Sequence, residues 1–400
     1  MTRALRGKLL VGQSGGCTAA INSSLVGVVE EALRHGEIEG VLGTLHGVEG
    51  LLRGELVDLA AESAETLQRI RRTPSAALGS CRHKLQEGDL ERIVDILRAN
   101  NVRYFLYIGG NDSADTSHRV AQTAVAEGYD LRVISVPKTI DNDLPITDHC
   151  PGYGSIARFV AQSTRDAGMD TEAMKRYDPV KIIEVMGRNA GWVAASSALG
   201  KSNPLDAPHL IYLPESVFSV DRFLEDVARV HREVGYVVVV LSETVRDQSG
   251  QVVGNEKPCF VDPFGHGYYD SPAAYLSRVV TRELGLRARY DKPGTIQRMS
   301  MALASETDLE EAHLLGRRAV QLAVEGHGDE MVILVRQPGP TYRCLVDSTP
   351  LANVANVEKR MPAEFISEGG SFVTRAFIEY ATPLIGGPLL PYARLAKEPL

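Results

Sequence analysis

The chain has 400 residues, 44% of them hydrophobic and 24% charged, with 37 Gly and 20 Pro, a composition that excludes a disordered chain and supports a large buried core. Its 43 Lys and Arg against 51 Asp and Glu leave a net charge of -8, which excludes a broad electrostatic affinity for nucleic acid or anionic membrane and demands a local basic pocket for any anionic ligand. The length suits two domains, three small ones or one large α/β domain.

The opening MTRALRGKLLVGQ contains only a short apolar run, and no stretch approaches the ~18 apolar residues of a membrane span. Neither an export signal nor a span is expected. Cys17, Cys81, Cys150, Cys259 and Cys344 are far apart, without CxxC or CxxH spacing, which argues against a zinc site and for a reducing, cytoplasmic location.

KLLV reads as a strand, QSGGCTAAIN as a Gly-rich turn, and Ile21, Leu25, Val28, Val29, Ala32 and Leu33 as the apolar face of a helix closed by Gly36. The unit recurs: a helix carrying Ile93, Val94, Ile96 and Leu97, the strand YFLYI (104–108), the turn GGNDSADT, and a helix from about Ser117. LRVISV (131–136) runs into PKTIDND, and further strands are expected at VKIIEVM (180–186), LIYL (210–213), YVVVVL (236–241) and MVILV (331–335), with a helix over Val220–Val234. This alternation predicts an α/β fold of two mostly parallel sheets covered on both faces. From about Thr349 the chain reads as an extension wrapping an existing domain, with no function legible in it.

In such sheets ligands bind beyond the carboxyl ends of the strands, where helix-start N–H groups face anions. The Gly-rich turns match neither GxGxxG nor GxxxxGK[ST], which argues against a nicotinamide dehydrogenase and a P-loop ATPase. PKTIDND (137–143) places Lys138, Thr139, Asp141 and Asp143 at one rim. Phosphoryl transfer needs that mixture: a cation to offset spread negative charge and a carboxylate to take the proton of the attacking hydroxyl. The same residues also suit a capped turn with a solvated Lys138, which composition alone favours. Arg188 in MGRNAGW offers a guanidinium fork for a phosphate, or is a surface Arg beside a loop Gly. Arg82, Arg289 and Arg298 are further cations that singly read as solvent-facing.

Taken in order, SGG (14–16), GSCR (79–82), GGNDS (109–113), PKTIDND, VMGR (185–188), PE (214–215) and R-x8-R (289–298) resemble the phosphofructokinase family over about residues 7–340. The resemblance implies two Rossmann-like three-layer αβα lobes. Residues 1–150 plus 299–348 would form the donor-phosphate lobe, 151–298 the sugar-phosphate lobe and 349–400 a C-terminal extension. It also implies Mg²⁺-dependent, glycolytic transfer of a phosphoryl group to the 1-hydroxyl of fructose 6-phosphate. ATP users in this family usually carry Gly where this chain has Asp112 and Lys138, whereas pyrophosphate users carry Asp and Lys. A carboxylate there crowds the path of a nucleotide's α-phosphate, and an ammonium suits compact pyrophosphate. Reversible transfer from pyrophosphate is therefore expected; an ATP-dependent kinase and a non-catalytic regulatory subunit are the alternatives.

By the same resemblance Asp141 is the general base, with Thr139 and Asp143 in its loop. Asp143 would orient or assist through Mg²⁺ or nearby hydroxyls. Gly16, Arg82, Gly110, Asp112, Ser113 and Lys138 correspond to donor positions, and Met186, Gly187, Arg188, Glu215, Arg289 and Arg298 to sugar-phosphate positions. Arg289 would serve a neighbouring subunit, so a homodimer or homotetramer with intersubunit active sites is expected. Three positions depart from the pattern. Asn111 stands where relatives have a Mg²⁺-binding Asp, leaving Asn111 and Asp112 as the metal candidates; Thr295 replaces a sugar-site His; and Pro179 replaces a second intersubunit Arg.

Overall fold

The apolar runs fold as strands buried on both faces, as Val237–Ser242 illustrates with every residue buried. The computed structural model describes residues 5–255, 257–262, 265 and 267–396. The first residues of the stretch read for an export signal, and the last four of the extension, lie outside the described residues.

Thirteen strands are present among the described residues: β1 Gly7–Gln13, β2 Ile38–Thr44, β3 Leu56–Asp58, β4 Val102–Gly109, β5 Arg132–Pro137, β6 Val180–Val185, β7 Leu210–Tyr212, β8 Val237–Ser242, β9 Phe260–Val261, β10 Gly267–Tyr268, β11 Ala288–Asp291, β12 Glu330–Arg336 and β13 Cys344–Pro350. The larger sheet has the order β13-β12-β5-β4-β1-β2-β3 and the smaller β11-β6-β8-β7. All neighbours are parallel except β2 with β3 and β12 with β13. β9 and β10 form a separate antiparallel hairpin. The chain leaves the larger sheet after β5, builds the smaller one and returns through β12 and β13.

Strand alternation sends successive side chains to opposite helical layers. Leu9 and Val11 join a core with Ile21, Leu25, Leu315 and Ala319, while Leu10 joins Ile93, Leu97 and Val120 on the other face. In the smaller sheet Val238 and Val240 pack with Tyr153 and Ile156, and Val237 and Val239 with Phe223, Val227 and Leu276. The C-terminal extension bridges the two: Leu351 and Val354 pack beside Met331 and Ile333, whereas Phe377, Ala381 and Leu384 enter the core beneath Ile183 and Val185.

Helices Ile21–Ala32 and Glu306–Glu325 meet backbone to backbone on the larger sheet. A Cβ on Gly316 would lie 2.2 Å from the Ser24 carbonyl oxygen, and one on Gly27 2.2 Å from that of His313. Because the obstacle is main chain, it cannot rotate away. Gly316→Ala is expected to cost about 1–3 kcal/mol or more by forcing the helices apart. Gly36→Ala, which meets nothing within 4 Å, should leave the thermal midpoint nearly unchanged; equal losses would contradict the close approach.

Candidate active site

The chemistry-bearing segments all follow strand C-termini: Ser14–Cys17 after β1, Gly110 and the helix Asn111–Ala126 after β4, Lys138–Asp143 after β5, and Met186–Arg188 after β6. The helix begins at Asn111 rather than near Ser117. Its first six residues are polar apart from Ala114, so they carry no apolar period to read. Asp112 and Ser113 therefore occupy a helical N-terminus, where free N–H groups and the helix dipole favour anions. Ser113 is buried against Gly109, where a Cβ would meet its hydroxyl at 2.0 Å.

Lys138 lies in the crevice, 2% exposed, donating from Nζ to the Gly16 carbonyl oxygen at 2.9 Å. The glycines make this possible. Gly15 has φ +76°, and a Cβ on Gly16 would lie 2.8 Å from Arg298 Nη1, so two cations press on bare backbone. Burial, with Arg298 and Arg188 nearby, brings the Lys138 ammonium down to about 8 against the pull of Cys17 and Asp141. Arg298 is lowered by burial too, and its Nε is buried without a protein partner.

Asp141 is 8% exposed. Burial and the adjacent Asp143, with Glu243 behind it, push its carboxyl up to about 7, while Arg188 and Lys138 pull the other way. Arg188 Nε stands 3.9 Å from Asp141 Oδ2. Its loop is stitched to the end of β8: Arg188 N–H donates to Glu243 Oε1 at 3.4 Å, and the Arg188 carbonyl accepts from the hydroxyls of Ser242 and Thr244. Gly187, at φ +135°, has room for no side chain, since a Cβ would lie 2.9 Å from the Ala190 carbonyl. Met186 N–H donates to Gln297 Oε1, drawing the segment before Arg298 to the same rim.

The loop carrying Asp141 is fastened at many points. Thr139 Oγ1 accepts the Asp141 N–H at 3.1 Å. Asn142, at φ +53°, accepts the Cys150 N–H on Oδ1 and donates from Nδ2 to the Tyr380 hydroxyl. His149 is buried between two carboxylates, Asp148 at 2.8 Å and Glu311 at 2.7 Å.

Other expected site residues are engaged elsewhere. Asn111 Nδ2 donates to the Val357 carbonyl at 2.6 Å and Oδ1 accepts the Asn356 N–H at 2.7 Å. Its amide is turned to the stretch around residues 356–357, where both ends find backbone partners. Arg82 Nη1 donates to Asp262 and the Tyr268 hydroxyl, tying the larger-sheet side to the β9–β10 hairpin. Glu215 Oε1 accepts the N–H groups of Gly191 and Met361, and its Oε2 is buried without a protein partner. Arg289 is not brought to the cluster within this chain. It pairs with Asp178 at 2.9 Å beside a cavity of about 140 Å³. Its register partner Lys181 stands five residues before Met186, roughly 16 Å along an extended strand. Glu243 was missed by sequence reading, although it directly follows the apolar run of β8, a position that could have marked it. The backbone contacts of Val357 and Met361 have no such signal.

A basic crevice at the carboxyl edge of parallel strands, holding a buried carboxylate of raised proton affinity, defines an anion-handling α/β protein. The phosphofructokinase family model matches residues 8–323. A pyrophosphate–fructose 6-phosphate 1-phosphotransferase of Xanthomonas campestris pv. campestris is 43% identical over 387 residues, covering 95% of this chain and 92% of the relative. A protein of the same name from Halomonas elongata is 40% identical, covering 96% and 95%. The crystal structure of a pyrophosphate-dependent phosphofructokinase from Nitrosospira multiformis superposes with a TM-score of 0.88 at 38% identity, covering 98% of this chain and 94% of that one. The chain belongs to the phosphofructokinase family. No helix among the described residues is long and apolar enough to cross a membrane.

The His149 clamp makes stability pH-dependent. Burial opposes the imidazolium, but hydrogen bonds to Asp148 and Glu311 outweigh it and hold the group up to about 9. A folded value above the free value of about 6.5 means that the contribution is complete below that pH and is lost as pH rises through about 9. The thermal midpoint should fall between pH 7 and pH 10 more steeply in the wild type than in His149→Gln; parallel profiles would contradict the clamp.

Proposed function

We propose that the chain transfers a phosphoryl group reversibly from pyrophosphate to the 1-hydroxyl of fructose 6-phosphate. The observation that carries the donor choice is the buried Lys138 ammonium lodged against Gly16. With Asp112 in the first turn of the facing helix, it supports a crevice suited to two linked phosphates and crowded for a nucleotide. The 40–43% identity to proteins named for this reaction supports the same reading.

In this reading the sugar O1 attacks the terminal phosphorus. The O1–P bond forms, the bridging P–O bond breaks, and its electron pair leaves with inorganic phosphate. Asp141 accepts the hydroxyl proton; a carboxyl held near 7 is poised for that task at neutral pH. Lys138 and Arg188 offset charge on the transferring group. Gly16, Gly110 and Ser113 face the donor. Arg82 joins them on release from Asp262; Arg298, Met186 and Gly187 face the sugar phosphate, and Glu215, whose Oε2 has no protein partner, faces a sugar hydroxyl.

The donor set suits Mg²⁺: Asp112 offers a carboxylate at the rim, and Asp143 Oδ1 is buried without a protein partner. Magnesium takes one or two carboxylates together with phosphate oxygens, so Asp112 and Asp143 would hold it. It would supply charge neutralisation on the pyrophosphate.

The return of β12 and β13 to the larger sheet supports residues 1–150 with 299–348 as the donor lobe and 151–298 as the sugar-phosphate lobe, with 349–400 as the extension. Arg289, more than half exposed and far along β6 from Met186, supports service to a neighbouring subunit's site in a homodimer or homotetramer. The unpaired cysteines support a cytoplasmic setting.

Steady-state assays with each donor test the reading: MgPPi should support turnover and MgATP should not, and the reverse result would overturn the donor. Asp141→Ser should lower kcat by ~10²–10⁴-fold with little change in KM for the sugar; near-full activity would refute the base.

A further inference from the structure

The extension touches the site at four separate motifs within one short stretch. Asn356 N–H and the Val357 carbonyl bind the two ends of the Asn111 amide. Glu358 Oε1 accepts from Asn189 Nδ2 at 3.4 Å. Lys359 N–H donates to the Asp143 carbonyl at 2.6 Å, and Met361 N–H donates to Glu215 Oε1 at 3.0 Å.

Lys359 does more than one backbone bond requires. Its Nζ donates to the Thr147 carbonyl at 3.1 Å and the Asp148 carbonyl at 3.0 Å, lying 5.3 Å from the centre of the Trp192 ring. One residue thus grips both ends of the Asp143–Asp148 bend. That bend needs gripping, because Ile146 within it and Asn142 just before it hold positive φ, at 69° and 53°. Such conformations cost energy in residues with a side chain, and in a β-branched residue most of all. Tyr380 completes the hold: its hydroxyl donates to the Asp148 carbonyl at 2.9 Å and accepts from Asn142 Nδ2 at 3.1 Å.

We propose that Asn356–Met361 is a strap that fixes the Asp141–Asp143 loop in its working geometry, with Lys359 and Tyr380 as positioning residues. The proposal rests on the phosphotransferase reading above, in which that loop carries the base. The hydrogen bonds of Lys359 go to the loop rather than to the donor turn, so its loss should disturb the attack geometry more than pyrophosphate binding.

Lys359→Met keeps the apolar stem and the backbone bond to Asp143 but removes the ammonium. It should lower kcat ~10–100-fold, the penalty of a slightly misplaced catalytic group, while KM for pyrophosphate and for fructose 6-phosphate stays within ~3-fold. Lys359→Arg, which keeps the charge and the donors, should recover most of the rate. Tyr380→Phe, which removes only the hydroxyl, should lower kcat ~5-fold or more and decides the matter if Lys359→Met does not fold. A kcat within ~2-fold of wild type, or a loss taken wholly in KM, would overturn the strap. Hydrogen exchange over residues 139–150 gives an answer independent of turnover: it should quicken in Lys359→Met and Tyr380→Phe, and unchanged exchange in these two would overturn the proposal. If the wild type itself fails to use pyrophosphate, the functional reading fails, and the exchange result alone decides the strap.

Discussion

The structure turns on holding an ammonium and a carboxylate together in one water-poor crevice. Desolvation weakens the charged form of both, bringing Lys138 down to about 8 and Asp141 up to about 7. Neither could be kept so by sequence proximity alone. Lys138 needs the side-chain-free backbone of Gly15 and Gly16 to enter the turn, and Asp141 needs a loop bent through left-handed conformations that relaxes unless tied. Much of the surrounding polar bonding serves that second need. The hydroxyl of Thr139, the amide of Asn142, the doubly bonded His149 and the ammonium of Lys359 all terminate on one stretch of about a dozen residues.

The arrangement also explains the order of the chain. Parallel strands place their carboxyl ends on one edge, so turns distant in sequence meet there without special design. β1, β4 and β5 deliver the SGG turn, the Asn111 helix and the Asp141 loop from the larger sheet; β6 and β8 deliver Arg188 and Glu243 from the smaller one. The extension closes this edge from outside, sinking Phe377 and Leu384 into the core beneath β6 while its earlier residues touch both rims.

Much of this was legible in the amino-acid order. The buried strands announce themselves as apolar runs, and SGG, TIDND and MGR are unusual enough in combination to indicate the family. What escaped reading did so for physical reasons. β2 carries Gly40 and Gly43, the latter because Leu78 would lie 2.7 Å from a Cβ, and these dilute its strand signal. β13 is an edge strand with only Thr349 buried and its other residues half-buried or exposed. The helix from Asn111 begins with a polar turn. Asn111, a metal candidate by position, also bonds through its amide to the backbone of residues 356 and 357, which no side-chain pattern announces. The extension works through main-chain hydrogen bonds, which leave almost no trace in side-chain pattern.

A crevice shaped by Lys138 and Asp112 for two linked phosphates is tested by equilibrium calorimetric titration of the enzyme, in Mg²⁺, with pyrophosphate and with a non-hydrolysable ATP analogue. Pyrophosphate should bind saturably, and much more weakly in Lys138→Gly, while the nucleotide should bind negligibly. Tight nucleotide binding that pyrophosphate cannot displace would rule out a crevice of that shape.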